Sequence, residues 1–269
     1  MADAPAPPEA WDDGVAYEQY VGRWSRLVAE PFVRRLAVPV GRSWLDVGCG
    51  SGALSRAVLA LAEPAALKGV DHSAGYVALV RRLISDDRAR FVVGDARQLP
   101  AEADSYDAVI SGLMLNFVPQ PAEALAEMVR VVRPGGVVAV YVWDYADKIQ
   151  FMRHFWNAAA ALAPAAAALD EGRRFPLCRP DALRRLFVAA GLEAVAGWAV
   201  DVWTVFRDFD DYWSPFLGSQ GPAPGYVALL SEERRAALRE RLRAGLPFAL
   251  DGSIPLAARA LAVRGRRRA

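Results

Sequence analysis

The chain has 269 residues, 54% hydrophobic and 23% charged, enough for one large α/β core with an elaboration. A net charge of +1 gives no field that draws the protein to nucleic acid or a membrane surface, and two cysteines, Cys49 and Cys178, make no disulfide framework and point to a reducing cytoplasm. The opening MADAPAPPEA lacks the basic end and apolar run of a secretory signal, and no stretch approaches the ~20 apolar residues of a membrane span.

Residues 1–10 are rich in Pro and Ala and carry no pattern. Across residues 11–38, Tyr17, Tyr20, Trp24 and Leu27 recur at helical spacing, which predicts an N-terminal helical flap of one or two helices. An alternation then begins. Residues 43–47 read as a strand, closed by the loop Asp46-Val47-Gly48-Cys49-Gly50-Ser51-Gly52, and 53–61 as a helix. A strand at 67–70 ends on Asp71, a helix covers 74–83, and a strand at 90–93 ends on Gly94-Asp95. A strand at 106–111, a helix at 122–132, a turn at Arg133-Pro134-Gly135-Gly136 and a strand at 137–142 complete the first half. Runs such as DAVIS and VVAVYV are apolar on both faces, as parallel strands covered by helices are. Strands alternating with helices predict a doubly wound α/β sheet.

The second half is less regular. Residues 180–190 read as a helix capped by Gly191, and 194–206 as an aromatic strand. Residues 207–253 read as a cap or insertion: aromatics, a Gly/Pro-rich linker (GSQGPAPG), then a helix at 232–242. Residues 257–264 form a last strand, and the basic tail 264–268 reads as a solvated end. The whole, 1–269, reads as a single domain.

The glycine loop follows a strand and opens a helix, which places a ligand at the carboxyl edge of a parallel sheet. Gly48, Gly50 and Ala53 also satisfy the dinucleotide pattern, with Asp71 where a ribose-binding acid belongs, so a nicotinamide or flavin oxidoreductase stands as an alternative. Three features weigh against it. Asp46 would face a pyrophosphate with like charge, whereas it suits an ammonium group. Asp95, at the end of the third strand, can accept a hydrogen bond from an adenine amino group. Arg133–Gly136 is a turn on its own evidence.

Together DVGCGSG at 46–52, VDHS at 70–73, GDA at 94–96, DAVIS at 107–111 and VRPGG at 132–136 resemble the class I S-adenosylmethionine-dependent methyltransferase family, in its UbiE-like (methyltransferase type 11) small-molecule branch. The resemblance covers roughly residues 17–145. It implies a Rossmann-like seven-stranded sheet, order 3-2-1-4-5-7-6, with strand 7 antiparallel and formed by the closing segment. It also implies S-adenosylmethionine as cofactor, bound by Asp46, Gly48, Cys49, Gly50, Gly52, Asp71, His72, Asp95, Ala96 and Ser111. The stretch YEQYVGRWS at 17–25 resembles an N-terminal segment of this branch, which would bring Tyr20 or Arg23 near the methionine carboxylate. No residue is assigned to a metal. The implied partner is a small-molecule acceptor, without nucleic acid or membrane, for a monomer or homodimer. A methyltransferase-like protein that binds the cofactor without turnover is a further alternative.

Methyl transfer from a sulfonium is an in-line displacement whose rate can come largely from alignment of the reactants. A base is needed only where the nucleophile holds its proton. His154, Tyr145 and Asn116 are the candidates near the substrate mouth. The segment SGLMLNF lacks the [DN]-P-P-[YF] pattern of nucleic-acid amino methyltransferases. The aromatics Trp198, Trp203, Phe206, Phe209, Tyr212, Trp213 and Phe216 read either as a wall for an apolar substrate or as packing of the insertion.

Overall fold

The computed structural model describes residues 22–218 and 221–269. Tyr20 and most of the 11–22 stretch therefore lie outside the described residues. The elements run α1 (Arg23–Leu36), β1 (Ser43–Val47), α2 (Ala53–Leu61), β2 (Ala66–Asp71), α3 (Ala74–Leu83), β3 (Ala89–Val93), β4 (Tyr106–Gly112), α4 (Pro121–Val131) and β5 (Val132–Trp143). They continue with α5 (Gln150–Leu162), α6 (Glu171–Arg174), α7 (Pro180–Ala189), β6 (Glu193–Phe206), α8 (Phe209–Trp213), α9 (Pro222–Ala228), α10 (Glu232–Gly245) and β7 (Ile254–Arg266).

The seven strands form one sheet in the order β3-β2-β1-β4-β5-β7-β6. The pairs β1–β2, β2–β3, β1–β4 and β4–β5 are parallel, and β7 runs antiparallel to β5. This is the doubly wound, Rossmann-like order expected from the sequence.

The chain divides into two compact units. Of the described residues, the first holds Trp24–Trp143, Leu177–Val200 and Ala260–Ala269, and the second Asp144–Pro176 and Asp201–Arg259 together with Gly22 and Arg23. The second unit contains the 207–253 segment and also 144–176.

In the first unit the apolar runs are buried on both faces. Leu45, Val109 and Val140 alternate onto one face, where they meet Leu125 and Met128 of α4 and Phe187 of α7. Phe32 of α1 sits edge-on to Tyr141 at 4.7 Å and stacks on Trp198 at 5.8 Å. Each such side chain contributes ~1.5–3 kcal/mol by burial. Pro121 and Pro180 open α4 and α7 at the first helical turn, where the missing N–H costs nothing.

Two expectations are corrected here. Arg133-Pro134-Gly135-Gly136 is not a turn between elements but part of β5. Tyr106 pairs with Val132 and Ala108 with Val137, so β5 carries extra residues as a bulge, with Gly135 at φ 75°. The basic tail is not solvated throughout: Arg268 is exposed, but Arg267 is engaged. The Gly135 N–H donates to the Arg267 carbonyl (2.9 Å) and the Arg267 N–H to the Gly136 carbonyl (3.0 Å). The Arg267 guanidinium donates to the carbonyls of Val129 (3.1 Å) and Arg130 (3.0 Å) at the end of α4, groups a helix terminus leaves unsatisfied.

The second unit is built on aromatic rings. Phe151 stacks on Phe206 (5.3 Å) and Phe216 (4.6 Å), and Phe155 stacks on Phe216 (4.3 Å). The Tyr212 hydroxyl donates to the Phe151 carbonyl at 3.0 Å. Of the seven aromatics singled out, Phe206, Phe209, Tyr212, Trp213 and Phe216 are therefore packing, while Trp203 is 71% exposed. Part of the Gly/Pro-rich linker is the helix α9, whose Pro222 presets the φ of its first turn. Replacing Phe151 by Ala is expected to lower unfolding free energy in urea by about 3–5 kcal/mol, and Trp203→Ala by no more than about 0.5. A loss below about 1 kcal/mol for Phe151→Ala would show that this ring stack is not the core of the unit.

Candidate functional site

The loop between β1 and α2 is bent by three glycines in the left-handed region: Gly48 (φ 74°), Gly50 (φ 50°) and Gly52 (φ 88°). A Cβ on Gly48 would strike the Met114 side chain, and one on Gly52 would lie 2.6 Å from Val80 Cγ2. Gly50 has open space where its Cβ would be. Four of the loop's donors are spent inside the protein. Gly48 and Cys49 N–H donate to the Val70 carbonyl (2.7 and 3.0 Å), Gly50 N–H to Asp71 Oδ2 (2.9 Å) and Gly52 N–H to the Cys49 carbonyl (2.8 Å). A pyrophosphate cradle needs such donors turned toward the ligand, so these four give the dinucleotide reading no support.

Three carboxylates mark the carboxyl ends of three adjacent strands. Asp46 of β1 is fully buried; the Ser55 hydroxyl donates to its Oδ2 at 2.6 Å, and its Oδ1 has no donor. Burial pushes its pKa up to about 7, and the nearby Asp71 charge adds to the rise, while the bonds from Ser55 oppose it. Asp71 ends β2, accepting from Gly50 on one oxygen and from Ser73 N–H on the other (2.9 Å). Ser73 in turn caps α3, its hydroxyl accepting from Tyr76 N–H at 3.3 Å. Asp95 follows β3, half exposed, and the Arg97 guanidinium and backbone N–H hold its carboxyl down at about 2.

Asp71, His72, Asp95 and Ala96 line one cleft of about 280 Å³ with Gly48, Arg97, Met114, Phe117 and Val118. The sequence did not single out Arg97, Met114, Phe117 or Val118. The apolar run SGLMLNFVPQ was the available signal for three of them. His72 is mostly exposed, its Nδ1 3.4 Å from Asp71 Oδ1. Cys49 is a buried filler whose thiol burial pushes well above its ordinary range. Ser111 is buried with its hydroxyl unpartnered, and Asn116 Nδ2 donates to Cys178 Sγ at 3.4 Å while its Oδ1 has no donor. The remaining predicted residues lie in the second unit. His154 lines a groove with Asn157 and Arg241, and burial lowers its pKa. Tyr145 is buried, edge-on to Phe175 at 5.7 Å. Arg23 donates to Asp211 Oδ1 at 3.0 Å and lies 4.7 Å from the centre of the Phe206 ring, an arrangement the sequence did not anticipate.

Residues 45–140 match the family model described as a methyltransferase domain. Over 108 residues the chain is 38% identical to the demethylmenaquinone methyltransferase of Clavibacter sepedonicus, covering 40% of this chain and 43% of that one. Residues 45–140 are thus similar to class I methyltransferase domains of the UbiE-like type. This domain is also similar to the 2-methyl-6-phytyl-1,4-hydroquinone methyltransferase of a Synechocystis strain, 36% identical over 121 residues, 45% of this chain and 38% of that one. The chain spans about half the length, or less, of these curated relatives. In fold, the chain resembles phosphoethanolamine N-methyltransferase 2 of Haemonchus contortus, solved with phosphomonomethylethanolamine and S-adenosylhomocysteine (TM-score 0.59, 15% identity, 95% of this chain and 57% of that one).

The Asp46 carboxyl titrates higher in the folded chain than its ordinary value of 3.8. Its stabilising protonated form is therefore fully present below about pH 4 and lost as pH rises through about 7. Between pH 4 and pH 8 wild-type stability is expected to fall by roughly 1–4 kcal/mol relative to Asp46→Asn, measured by urea unfolding at each pH. A pH-independent difference would show that Asp46 is ionised throughout. Glu171, also pushed up to about 7 by burial, titrates in both proteins and cancels from the comparison.

Proposed function

We propose that this protein transfers a methyl group from S-adenosylmethionine to a small-molecule acceptor by in-line displacement. The observation that carries the reading is the row of carboxylates on three adjacent strand ends beside a glycine loop in which the N–H groups of Gly48, Cys49, Gly50 and Gly52 are already spent. A nucleoside whose other end is an amino acid fits that row. Asp71 and Asp95 border the cleft, and the unpartnered Oδ1 of buried Asp46 has acceptor capacity that a cation would satisfy.

In this reading Asp71 accepts hydrogen bonds from the ribose hydroxyls and Asp95 from the adenine amino group. Met114, Phe117 and Val118 supply apolar surface for the purine face. Asp46 compensates the ammonium charge. The bound cofactor supplies a methyl group on a sulfonium with a neutral thioether as leaving group. The protein's part is to exclude water and align the acceptor with that carbon, which accounts for the lack of a required catalytic base. Asn116 sits just past β4 in the first unit and keeps an unpartnered amide oxygen, so it is the best placed of the three candidates to orient an acceptor proton.

The acceptor is a small molecule. The relatives' names speak of quinone and hydroquinone compounds, while the matched domain ends at residue 140. We place the protein in the cytoplasm as a monomer or homodimer acting without nucleic acid. No helix among the described residues is long and apolar enough to cross a membrane.

Isothermal titration separates this reading from its rival. S-adenosylhomocysteine is expected to bind, and Asp71→Ala to weaken it at least about tenfold by removing two charge-assisted hydrogen bonds. Tight NADH binding with no response to S-adenosylhomocysteine would overturn the proposal.

A further inference from the structure

At the opposite edge of the sheet, where the parallel strands begin, the first unit holds a second groove of about 310 Å³. Arg42 enters it from just before β1, Arg133 from the β5 bulge and Arg266 from the end of β7. One carboxylate faces them. Asp107 Oδ1 lies 3.1 Å from Arg133 Nη1 and 3.6 Å from Arg42 Nη1, while its Oδ2 accepts from Ser43 N–H at 2.9 Å. Arg133 also donates from Nε to the Asp104 carbonyl (3.2 Å), and Arg266 from Nη1 to the Gly135 carbonyl (3.0 Å).

Among the described residues, each of the three guanidinium groups keeps its Nη2 without an acceptor. Three positive groups against one carboxylate leave two positive charges in excess at the groove. The neighbouring arginines differ. Arg264 lies outside the groove and donates to the Leu36 carbonyl (3.2 Å), while Arg267 pairs with Asp104 and Arg268 with Glu193 (2.7 Å). The β5 bulge is what turns Arg133 into this cluster, and no side chain fits at Gly136, where a Cβ would lie 2.9 Å from the Asp107 carbonyl. Guanidinium groups recognise tetrahedral oxyanions through paired N–H donors. A phosphate monoester carries a charge of about −1.5 to −2 at neutral pH, which matches the local excess.

We propose that this groove is a binding site for a phosphate monoester group, separate from the cofactor cleft. The same chemistry belongs to a soluble phosphorylated compound and to the headgroup of a lipid such as phosphatidic acid. The inference rests on no part of the methyl-transfer reading, and its test leaves S-adenosylhomocysteine binding untouched.

The test is titration of the full chain with inorganic phosphate at constant ionic strength, read by calorimetry. Arg42→Gln, Arg133→Gln and Arg266→Gln combined are expected to weaken binding more than about tenfold. Arg268→Gln, outside the groove, is expected to leave it unchanged. Asp107→Asn removes the lone carboxylate and is expected to tighten binding about threefold or more. That variant carries the test if near-ultraviolet circular dichroism shows the triple variant unfolded, since damage to the fold would not tighten binding. Sedimentation with vesicles of phosphatidic acid in phosphatidylcholine, against phosphatidylcholine alone, distinguishes the sources. Extra sedimentation lost in the triple variant assigns a lipid headgroup, and none assigns a soluble compound. Absence of phosphate binding, a response unchanged in the triple variant, or a weaker response in Asp107→Asn overturns the proposal.

Discussion

The Asp71 carboxylate is the constraint on which the cofactor side of this fold depends. Its two oxygens take backbone N–H groups from two different loops, Gly50 after β1 and Ser73 after β2. Charge-assisted bonds of this kind are worth roughly 1.5–3 kcal/mol each. They bind the glycine loop to the neighbouring strand end and set the start of α3 in one piece. They also leave a negative charge at the lip of a cleft. Burial raises the proton affinity of Asp46, and the Asp71 charge adds to that rise, so the residue that fixes the loop also bears on its electrostatics. A site that holds its own loop donors inward, and faces its ligand with carboxylates, is suited to hydroxyl, amino and ammonium groups and unsuited to phosphate.

Each unit is stabilised internally by different means. In the first, parallel strands bury aliphatic side chains on both faces, and arginines complete exposed carbonyls at the sheet's far edge. In the second, the weight falls on aromatic stacking around Phe151 and on buried acids. Asp170 is ion-paired with Arg153, and Glu171 accepts from the Trp156 indole N–H. The first unit carries the matched domain. The second has the less regular sequence and departs most from a simple strand–helix alternation.

What was legible from residues alone follows this division. Strands and helices of the first unit were readable because their apolar runs are bounded by glycine, proline and acidic residues that punctuate a doubly wound sheet. The three acids at the strand ends were readable because strand ends are where such sheets bind ligands. The proline-glycine stretch at 133–136 misled because the same residues that make a turn also make a bulge, and only the register of β4 against β5 tells them apart. The basic tail misled because Arg267 is engaged by carbonyls that adjacent sequence does not reveal. Helix α5 went unread since Phe151, Met152, Phe155 and Trp156 were overshadowed by the alanine run behind them. Arg23 was expected at a carboxylate of the ligand, and its carboxylate is Asp211, 188 residues away in sequence.

A crystal structure with S-adenosylhomocysteine bound tests the central claim most directly. The account predicts both ribose hydroxyls within hydrogen-bond distance of the Asp71 carboxylate, with the Gly50–Asp71 bond kept and the purine between Asp95 and Phe117. A nucleoside bound elsewhere, or a glycine loop reopened so that its N–H groups point at the ligand, would contradict it.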